Sequence, residues 1–164
     1  MNFSSAIIYW YKEQNILLPW RGEKDLYKIW LSEVMLQQTQ VKTVIPYYEN
    51  WINKFPDIKS VSVASEKEIL KAWEGLGFYS QARNFQHACK QIQSDHGGEI
   101  PKSQKEFIKL KGVGDYILSA VQSIGLNNKI PVIDGNVLSD CRSIMRFFPN
   151  KEELMEYYTP KKIT

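Results

Sequence analysis

The residue of greatest chemical interest is a glutamate inside an apolar segment that runs from Tyr27 to Gln40. On a helix of about 100° per residue, Glu33 falls at about 40°, between Ile29 at zero and Trp30 at about 100°. Burial penalises the charged carboxylate, so a glutamate enclosed there keeps its proton and can act as a general acid. The alternative is that this end of the helix is exposed and Glu33 reaches water.

A second candidate site is a glycine turn between two predicted helices, within residues 107–120. Gly112 and Gly114 flank one apolar residue, and such a turn can direct backbone amides at a phosphate oxygen without reading base sequence. Four lysines stand nearby against Glu106 alone, which leaves a local excess of three positive charges: Lys102, Lys105, Lys109 and Lys111. Together these features favour contact with a nucleic acid backbone, the alternative being an ordinary turn between core helices.

A third candidate is the segment of residues 75–84, in which glycines are expected to hold out Leu76, Phe78 and Tyr79. Arg83 follows them and is expected to be available for a phosphate. Apolar wedges beside a basic residue suit insertion into a base stack. As an alternative, these aromatic side chains belong to the core.

A second carboxylate, Asp134, follows the apolar stretch of residues 130–133 and precedes a predicted helix. Taken alone, Asp134 is better interpreted as the N-cap of that helix. Because it follows an apolar stretch, Asp134 could also place a carboxylate at the base of a pocket.

The elements that must position these residues are helices, because no alternating strand pattern of useful length occurs. Asp25 is predicted to cap the helix that carries Glu33, and capping boxes are predicted at Ser65 to Glu68 and at Ser103 to Glu106. The sequence therefore predicts an all-α chain. Its other predicted helices cover residues 3–14, 40–54, 65–73, 79–96, 105–110, 115–126, 137–147 and 152–158.

Composition is typical of one globular domain. The 164 residues are 43% hydrophobic and carry a net charge of +3, too small to identify a partner alone. No apolar run approaches the ~18 residues of a membrane span, and the N-terminus lacks the layout of a signal peptide. Cys89 and Cys141 stand far apart without close cysteine partners, so they are interpreted as core residues of a cytosolic protein and not as a zinc or iron–sulfur site.

Five motifs of this chain follow one another in a fixed order. They read Leu18-Pro-Trp-Arg21, Trp30-Leu-Ser-Glu-Val-Met-Leu-Gln-Gln-Thr-Gln40, Trp73-Glu-Gly-Leu-Gly-Phe-Tyr79, Leu110-Lys-Gly-Val-Gly114 and Val132-Ile-Asp-Gly-Asn-Val137. Over roughly residues 6–137 the chain resembles the adenine DNA glycosylases of the MutY type, within the helix-hairpin-helix superfamily that includes endonuclease III. The resemblance implies a six-helix barrel core, with a hairpin at about residues 105–126.

The resemblance also implies roles for individual residues. Glu33 would protonate the leaving adenine, and Asp134 would stabilise the oxocarbenium-like sugar, a division of labour known from glycoside hydrolysis. The base pocket would be lined by Trp20, Arg21, Leu36, Tyr116 and Asn136. Contacts to DNA would come from Gln38 and Leu76 in the base stack, Phe78 beside them, and Arg83, Lys111, Gly112 and Gly114.

One position separates the branches of this superfamily. The lyase members resembling endonuclease III place a lysine two residues after the second hairpin glycine, where this chain has Tyr116. Without that amine, the expected reaction is hydrolysis of the N-glycosidic bond of adenine opposite 8-oxoguanine or guanine, without strand cleavage. Tyr116 also resembles mismatch thymine glycosylases, so a thymine or uracil glycosylase stays an alternative.

The chain departs from the family pattern at its C-terminal end. Four cysteines that bind a [4Fe–4S] cluster and the domain that helps recognise 8-oxoguanine are absent, and residues 139 and 140 are Ser and Asp where the family has an arginine and an apolar residue. Residues 1–164 are therefore expected to be a single catalytic core with an incomplete second helical half. We expect no cofactor, apart from a monovalent cation that the hairpin could hold.

Three further expectations follow from these departures. The N-terminal helix would lack part of its partner and expose apolar surface. The protein would be a monomer in the bacterial cytoplasm that associates with the nucleoid, binding mismatched double-stranded DNA and no membrane. A DNA-binding remnant with little or no turnover is the alternative to an active enzyme.

Overall fold

The computed structural model describes residues 3–13, 17–133 and 135, and over these residues the chain is all-α, as predicted. Its α-helices are α1 (Phe3–Glu13), α2 (Leu26–Leu36), α3 (Val41–Lys54), α4 (Ile58–Val63), α5 (Glu66–Trp73), α6 (Tyr79–Asp95), α7 (Gln104–Phe107) and α8 (Asp115–Ala120). A π-helical turn, Val121–Gly125, continues α8. The helices predicted at residues 137–147 and 152–158 lie outside the described residues.

Helix α2 is central to the packing. It packs against α3, α8 and the π-helical turn, while α4 and α5 pack on α6. The Trp30 ring lies 4.5 Å from that of Phe85 and 5.6 Å from that of Phe107, measured between centroids. Because aromatic side chains bury large apolar areas, this cluster fixes α2 between α6 and the segment that leads into the hairpin.

Two helix starts follow their sequence signals. The Asp25 carboxylate accepts a hydrogen bond of 2.9 Å from the backbone amide of Tyr27. At α5 both bonds of the Ser65 and Glu68 capping box are present. These predictions are confirmed, and they matter because α2 carries Glu33.

The second predicted capping box is wrong. Ser103 makes no side-chain cap hydrogen bond to α7, and the Glu106 carboxylate instead accepts a bond of 2.8 Å from Lys109 Nζ. The surface lysine competes for the carboxylate that the box requires. Helix α7 is only four residues long and does not reach Leu110.

Two elements differ from the sequence prediction. Helix α4 was missed because its capping box pairs Asp57 with Ser60, whereas the usual signal has Glu or Gln in the second position. The predicted helix of residues 115–126 widens to π geometry at Val121. There the Cα of Gly125 comes so close to Leu26 that an added Cβ would overlap the leucine side chain, so the missing side chain lets this turn pack on α2.

Helix α1 exposes Ile8, Tyr9, Trp10 and Tyr11, in agreement with the expected apolar surface on this helix. Among the described residues, no helix is both long enough and apolar enough to cross a membrane.

Candidate active site

Glu33 is 9% exposed near the middle of α2, so the prediction of a buried glutamate is confirmed and the exposed alternative is wrong. Its helical neighbours Ile29 and Trp30 are fully buried. The apolar residues around α2 therefore enclose a carboxyl group where water would otherwise solvate it.

A hydrogen bond joins Glu33 to the helix after the hairpin. The Tyr116 hydroxyl donates to Glu33 Oε2 at 2.7 Å. Tyr116 lies in the first turn of α8, which begins directly after Gly114. The hairpin geometry thus sets where this phenol meets the acid.

The pKa of the Glu33 carboxyl is raised, and burial is the largest cause. The hydrogen bond from Tyr116 and the positive charge of Arg21 both lower this pKa, because each favours the carboxylate. Burial prevails, so Glu33 keeps its proton to higher pH than an exposed glutamate does. A raised pKa suits a carboxyl group to act as a general acid.

The structure describes four of the five residues predicted to form the base pocket, namely Trp20, Arg21, Leu36 and Tyr116. Leu36 lies half-buried at the end of α2, and Arg21 acts electrostatically on Glu33 from the loop before that helix. The half-buried Trp20 ring packs edge-on against Tyr48, with 5.2 Å between centroids. Asp134 and Asn136, predicted as the second carboxylate and a pocket residue, lie outside the described residues.

The two hairpin glycines differ. Gly112 has φ +80°, and a Cβ there would lie 2.7 Å from Asn84 Cβ, so this position requires glycine. Gly114 has an ordinary φ of −104° and open space around its Cα, so nothing in its surroundings excludes a side chain. The turn therefore depends on Gly112.

The lysines around the hairpin are exposed, including Lys111. The backbone amide of Lys111 donates to Gln91 Oε1 at 2.9 Å, so this amide is already used within the protein. Lys111 could thus reach a phosphate with its side chain but not with its main chain.

The segment after α5 presents two of its three predicted wedge residues. Phe78 is 52% exposed and left-handed at φ +48°, and Tyr79 is 41% exposed, so the alternative that these two belong to the core is wrong. Leu76 is 7% exposed and packs in the core, so the expectation that the glycines hold it out is wrong. Leu76 belongs to the hydrophobic core cluster, where its apolar area is removed from water.

Arg83 is engaged and not available as expected. Its Nε donates to Glu66 Oε1 at 2.7 Å, which joins α6 to α5 at the surface. The exposed Gln38 follows α2, where its neighbour Gln37 accepts a hydrogen bond of 2.9 Å from Gln81 Nε2. The sequence analysis missed this bond, since no local pattern relates residues 44 positions apart.

A contact to Arg21 was missed as well. The Arg21 guanidinium lies over the Tyr11 ring, 4.9 Å from its centroid. The spacing of the aromatic residues in α1 does not indicate which of them faces the loop of residues 17–25.

The residues of this chain do not fit a four-cysteine iron–sulfur cluster. The sequence has two cysteines; Cys89 is buried in the core, where burial raises the pKa of its thiol, and Cys141 lies outside the described residues. Among the residues that the structure describes, no group of three or more His, Cys, Asp or Glu side chains is placed to hold a metal ion. No step below is derived through such a group.

Comparison with known proteins identifies relatives by sequence. The chain is 40% identical over 164 residues to an adenine DNA glycosylase of Buchnera aphidicola subsp. Schizaphis graminum, covering 98% of this chain and 45% of that protein. It is 40% identical over 144 residues to the human adenine DNA glycosylase, covering 82% of this chain and 26% of that protein. The chain thus spans less than half the length of these curated relatives.

A solved structure confirms the fold. A thermostable thymine-DNA glycosylase superimposes with a TM-score of 0.81 at 26% sequence identity, over 92% of this chain and 69% of that one. Residues 31–162 match the family described as HhH-GPD superfamily base excision DNA repair protein. That match includes Glu33, Tyr116 and the hairpin, and covers most of the sequence: the chain belongs to the HhH-GPD superfamily of base excision DNA repair proteins.

Proposed function

We propose that this chain hydrolyses the N-glycosidic bond of adenine mispaired with 8-oxoguanine or guanine in DNA. The observation that carries the proposal is Glu33, a buried carboxyl group that accepts a hydrogen bond from Tyr116. The names of the relatives at about 40% identity support adenine as the base.

Adenine is a poor leaving group unless one of its ring nitrogens is protonated. Glu33 holds a proton because burial raises its pKa, and it transfers that proton to the base. The bond between sugar and base then breaks with its electron pair passing to the protonated ring, which leaves as neutral adenine. Glu33 becomes a carboxylate, which the Tyr116 hydroxyl and the charge of Arg21 stabilise.

The sugar left behind resembles an oxocarbenium ion. We assign its stabilisation to Asp134, as an ionised carboxylate facing the developing positive charge. Water adds to the anomeric carbon and its proton passes to the Glu33 carboxylate, which completes hydrolysis and restores the acid. The nucleotide must first leave the duplex, because neither carboxyl group can reach it within the base stack.

The reaction is expected to stop at hydrolysis. Tyr116 is a phenol, placed against Glu33, and cannot form the Schiff base that a lysine forms with the sugar aldehyde. Borohydride should therefore trap no covalent complex between this protein and DNA.

Double-stranded DNA is the partner that the surface supports. Exposed lysines flank the hairpin, and Phe78 and Tyr79 are exposed at the start of α6. Lysines supply salt-dependent affinity for phosphates, while exposed aromatic side chains suit a disturbed base stack. We infer that a single copy of the chain binds one mismatch.

The test is single-turnover release of adenine from a duplex that contains one adenine opposite 8-oxoguanine. Wild type should release adenine, and Glu33→Gln should be slower by about 10²- to 10⁴-fold, the range of general acid catalysis. A duplex with thymine opposite guanine serves as the substrate control. Binding of both proteins to the adenine duplex is followed in parallel by fluorescence anisotropy.

Two outcomes would overturn the proposal. Release of thymine in place of adenine would assign the site to mismatched thymine, the base named for the structural relative. DNA binding by both proteins without release of any base would mean that the chain is a binding remnant.

A further inference from the structure

Arg21 lies in a segment without regular secondary structure, between α1 and α2. Its side chain is exposed, and an exposed arginine ordinarily samples many rotamers. The Tyr11 ring limits that freedom, since the guanidinium lies over its face at 4.9 Å from the centroid. The N–H groups of a guanidinium lie in its own plane. When the guanidinium lies over an aromatic ring, these groups can therefore still donate hydrogen bonds to another molecule.

Arg21 also acts on the acid. Its positive charge is one of two influences that favour the Glu33 carboxylate, the other being the Tyr116 hydroxyl from α8. Those two groups are the titratable or charged residues found to act on Glu33 from the described elements around it. The effect of Arg21 on the pKa of Glu33 depends on where the guanidinium is held. If the guanidinium moves farther from Glu33, water and salt screen its charge more strongly.

We propose that Tyr11 is a positioning residue, whose ring holds the Arg21 guanidinium where its positive charge acts on Glu33. This inference rests on the proposed function for the substrate, but the contact itself does not depend on it. Helix α1 contributes Tyr11 to the site through its contact with Arg21. Tyr11 touches neither the reacting atoms nor Glu33, and acts only through Arg21.

The chain offers matched variants for the test. Tyr11→Leu removes the ring, and Tyr11→Phe keeps it. Tyr9→Leu removes an exposed tyrosine from the same helix without touching the stacked pair. Arg21→Met removes the positive charge directly, so its Glu33 titration is the one expected when Arg21 has no effect on Glu33.

The first readout is titration of the Glu33 side-chain carboxyl by ¹³C NMR in the free protein. Tyr11→Leu should shift the titration of Glu33 to higher pH, in the direction of Arg21→Met, because the released guanidinium moves into water. Tyr11→Phe and Tyr9→Leu should titrate as wild type does. In the Arg21→Met background, Tyr11→Leu should produce no additional shift.

The second readout is the pH dependence of single-turnover adenine release. Tyr11→Leu should lower the plateau rate at acidic pH by roughly two- to fivefold, the size of an exposed cation–π contact, and move the alkaline limb to higher pH. A merely structural role for Tyr11 would lower the melting temperature and leave the Glu33 titration unchanged.

An unchanged or lowered Glu33 titration in Tyr11→Leu overturns the inference, as does an equal shift in Tyr9→Leu. If Tyr11→Leu fails to fold, Arg21→Met is compared with wild type in its place. An unchanged Glu33 titration in Arg21→Met would overturn the proposal, because Arg21 would then have no effect on Glu33 for Tyr11 to support. If wild type releases no adenine, the proposed function fails, and the NMR titration still tests the positioning of Arg21.

Discussion

The Tyr116 hydroxyl donates a hydrogen bond of 2.7 Å to Glu33 Oε2, which joins two residues 83 positions apart in sequence. The bond stabilises the carboxylate, while the burial of Glu33 stabilises the protonated acid. The two effects shift the pKa of the same carboxyl group in opposite directions. Their balance sets the pH range in which the acid holds a proton and can still give it up.

Replacement of Tyr116 by phenylalanine should raise the pKa of Glu33 further, because it removes a donor to the charged form while burial remains. A general acid is active below its pKa. The alkaline limb of the rate profile should therefore move to higher pH, and single-turnover adenine release over a range of pH measures the shift. Tyr9→Phe, on exposed α1, is the control for loss of a hydroxyl. A shift toward lower pH would contradict the assignment of Tyr116 as the donor.

Glu33→Gln should change the pH dependence of stability. The folded-state pKa of Glu33 is raised, so its stabilising contribution is fully present below the unfolded pKa of about 4.3 and is lost as pH rises through the folded pKa. Glutamine does not titrate. The melting temperature of the variant should therefore rise relative to that of wild type as pH increases from 4 to 8. Thermal unfolding followed by circular dichroism measures both, and a difference independent of pH would argue against a raised pKa.

Gly112→Ala should destabilise the protein by about 1–3 kcal/mol. The substitution combines a left-handed backbone with a Cβ only 2.7 Å from Asn84 Cβ. Gly114→Ala is the matched control, since a Cβ there meets nothing within 4 Å. Chemical denaturation of the two variants should separate them clearly. Equal losses would mean that the hairpin needs both glycines for its fold.

Leu76 and Phe78 should respond differently to truncation. Leu76→Ala removes a core side chain and should reduce the free energy of unfolding by about 2 kcal/mol or more, whereas Phe78→Ala should change it by less than about 0.5 kcal/mol. If Phe78 enters the base stack, its truncation should instead weaken binding to mismatched DNA. Denaturation and fluorescence anisotropy of both variants make the comparison. If Leu76→Ala has nearly the same free energy of unfolding as wild type, Leu76 contributes little to the core and could leave it to enter a base stack.

Local sequence signals predicted local structure well in this chain. The Asp25 cap, the Ser65 capping box and the burial of Glu33 each depend on residues within one or two helical turns. Helical periodicity places side chains on faces, so a glutamate in an apolar arc could be recognised as buried.

Contacts between distant segments could not be predicted in this way. The bonds from Tyr116 to Glu33 and from Gln81 to Gln37 depend on how helices pack, as does the stacking of Arg21 on Tyr11. The error at Leu76 has the same origin. Flanking glycines permit exposure, but whether a leucine turns outward depends on the core that forms beside it.

The ion pair between Arg83 and Glu66 gives the last prediction. Arg83 was expected to bind phosphate, and in the structure Glu66 holds its guanidinium at 2.7 Å. An exposed ion pair contributes little stability, so Glu66→Gln should fold normally and release Arg83 toward DNA. If Arg83 then contacts a phosphate, the plot of log K against log salt concentration should steepen by about one. Glu49→Gln, which removes the same charge from α3, controls for the change in net charge. Equal slopes for the two variants would show that Arg83 serves the fold and not the DNA backbone.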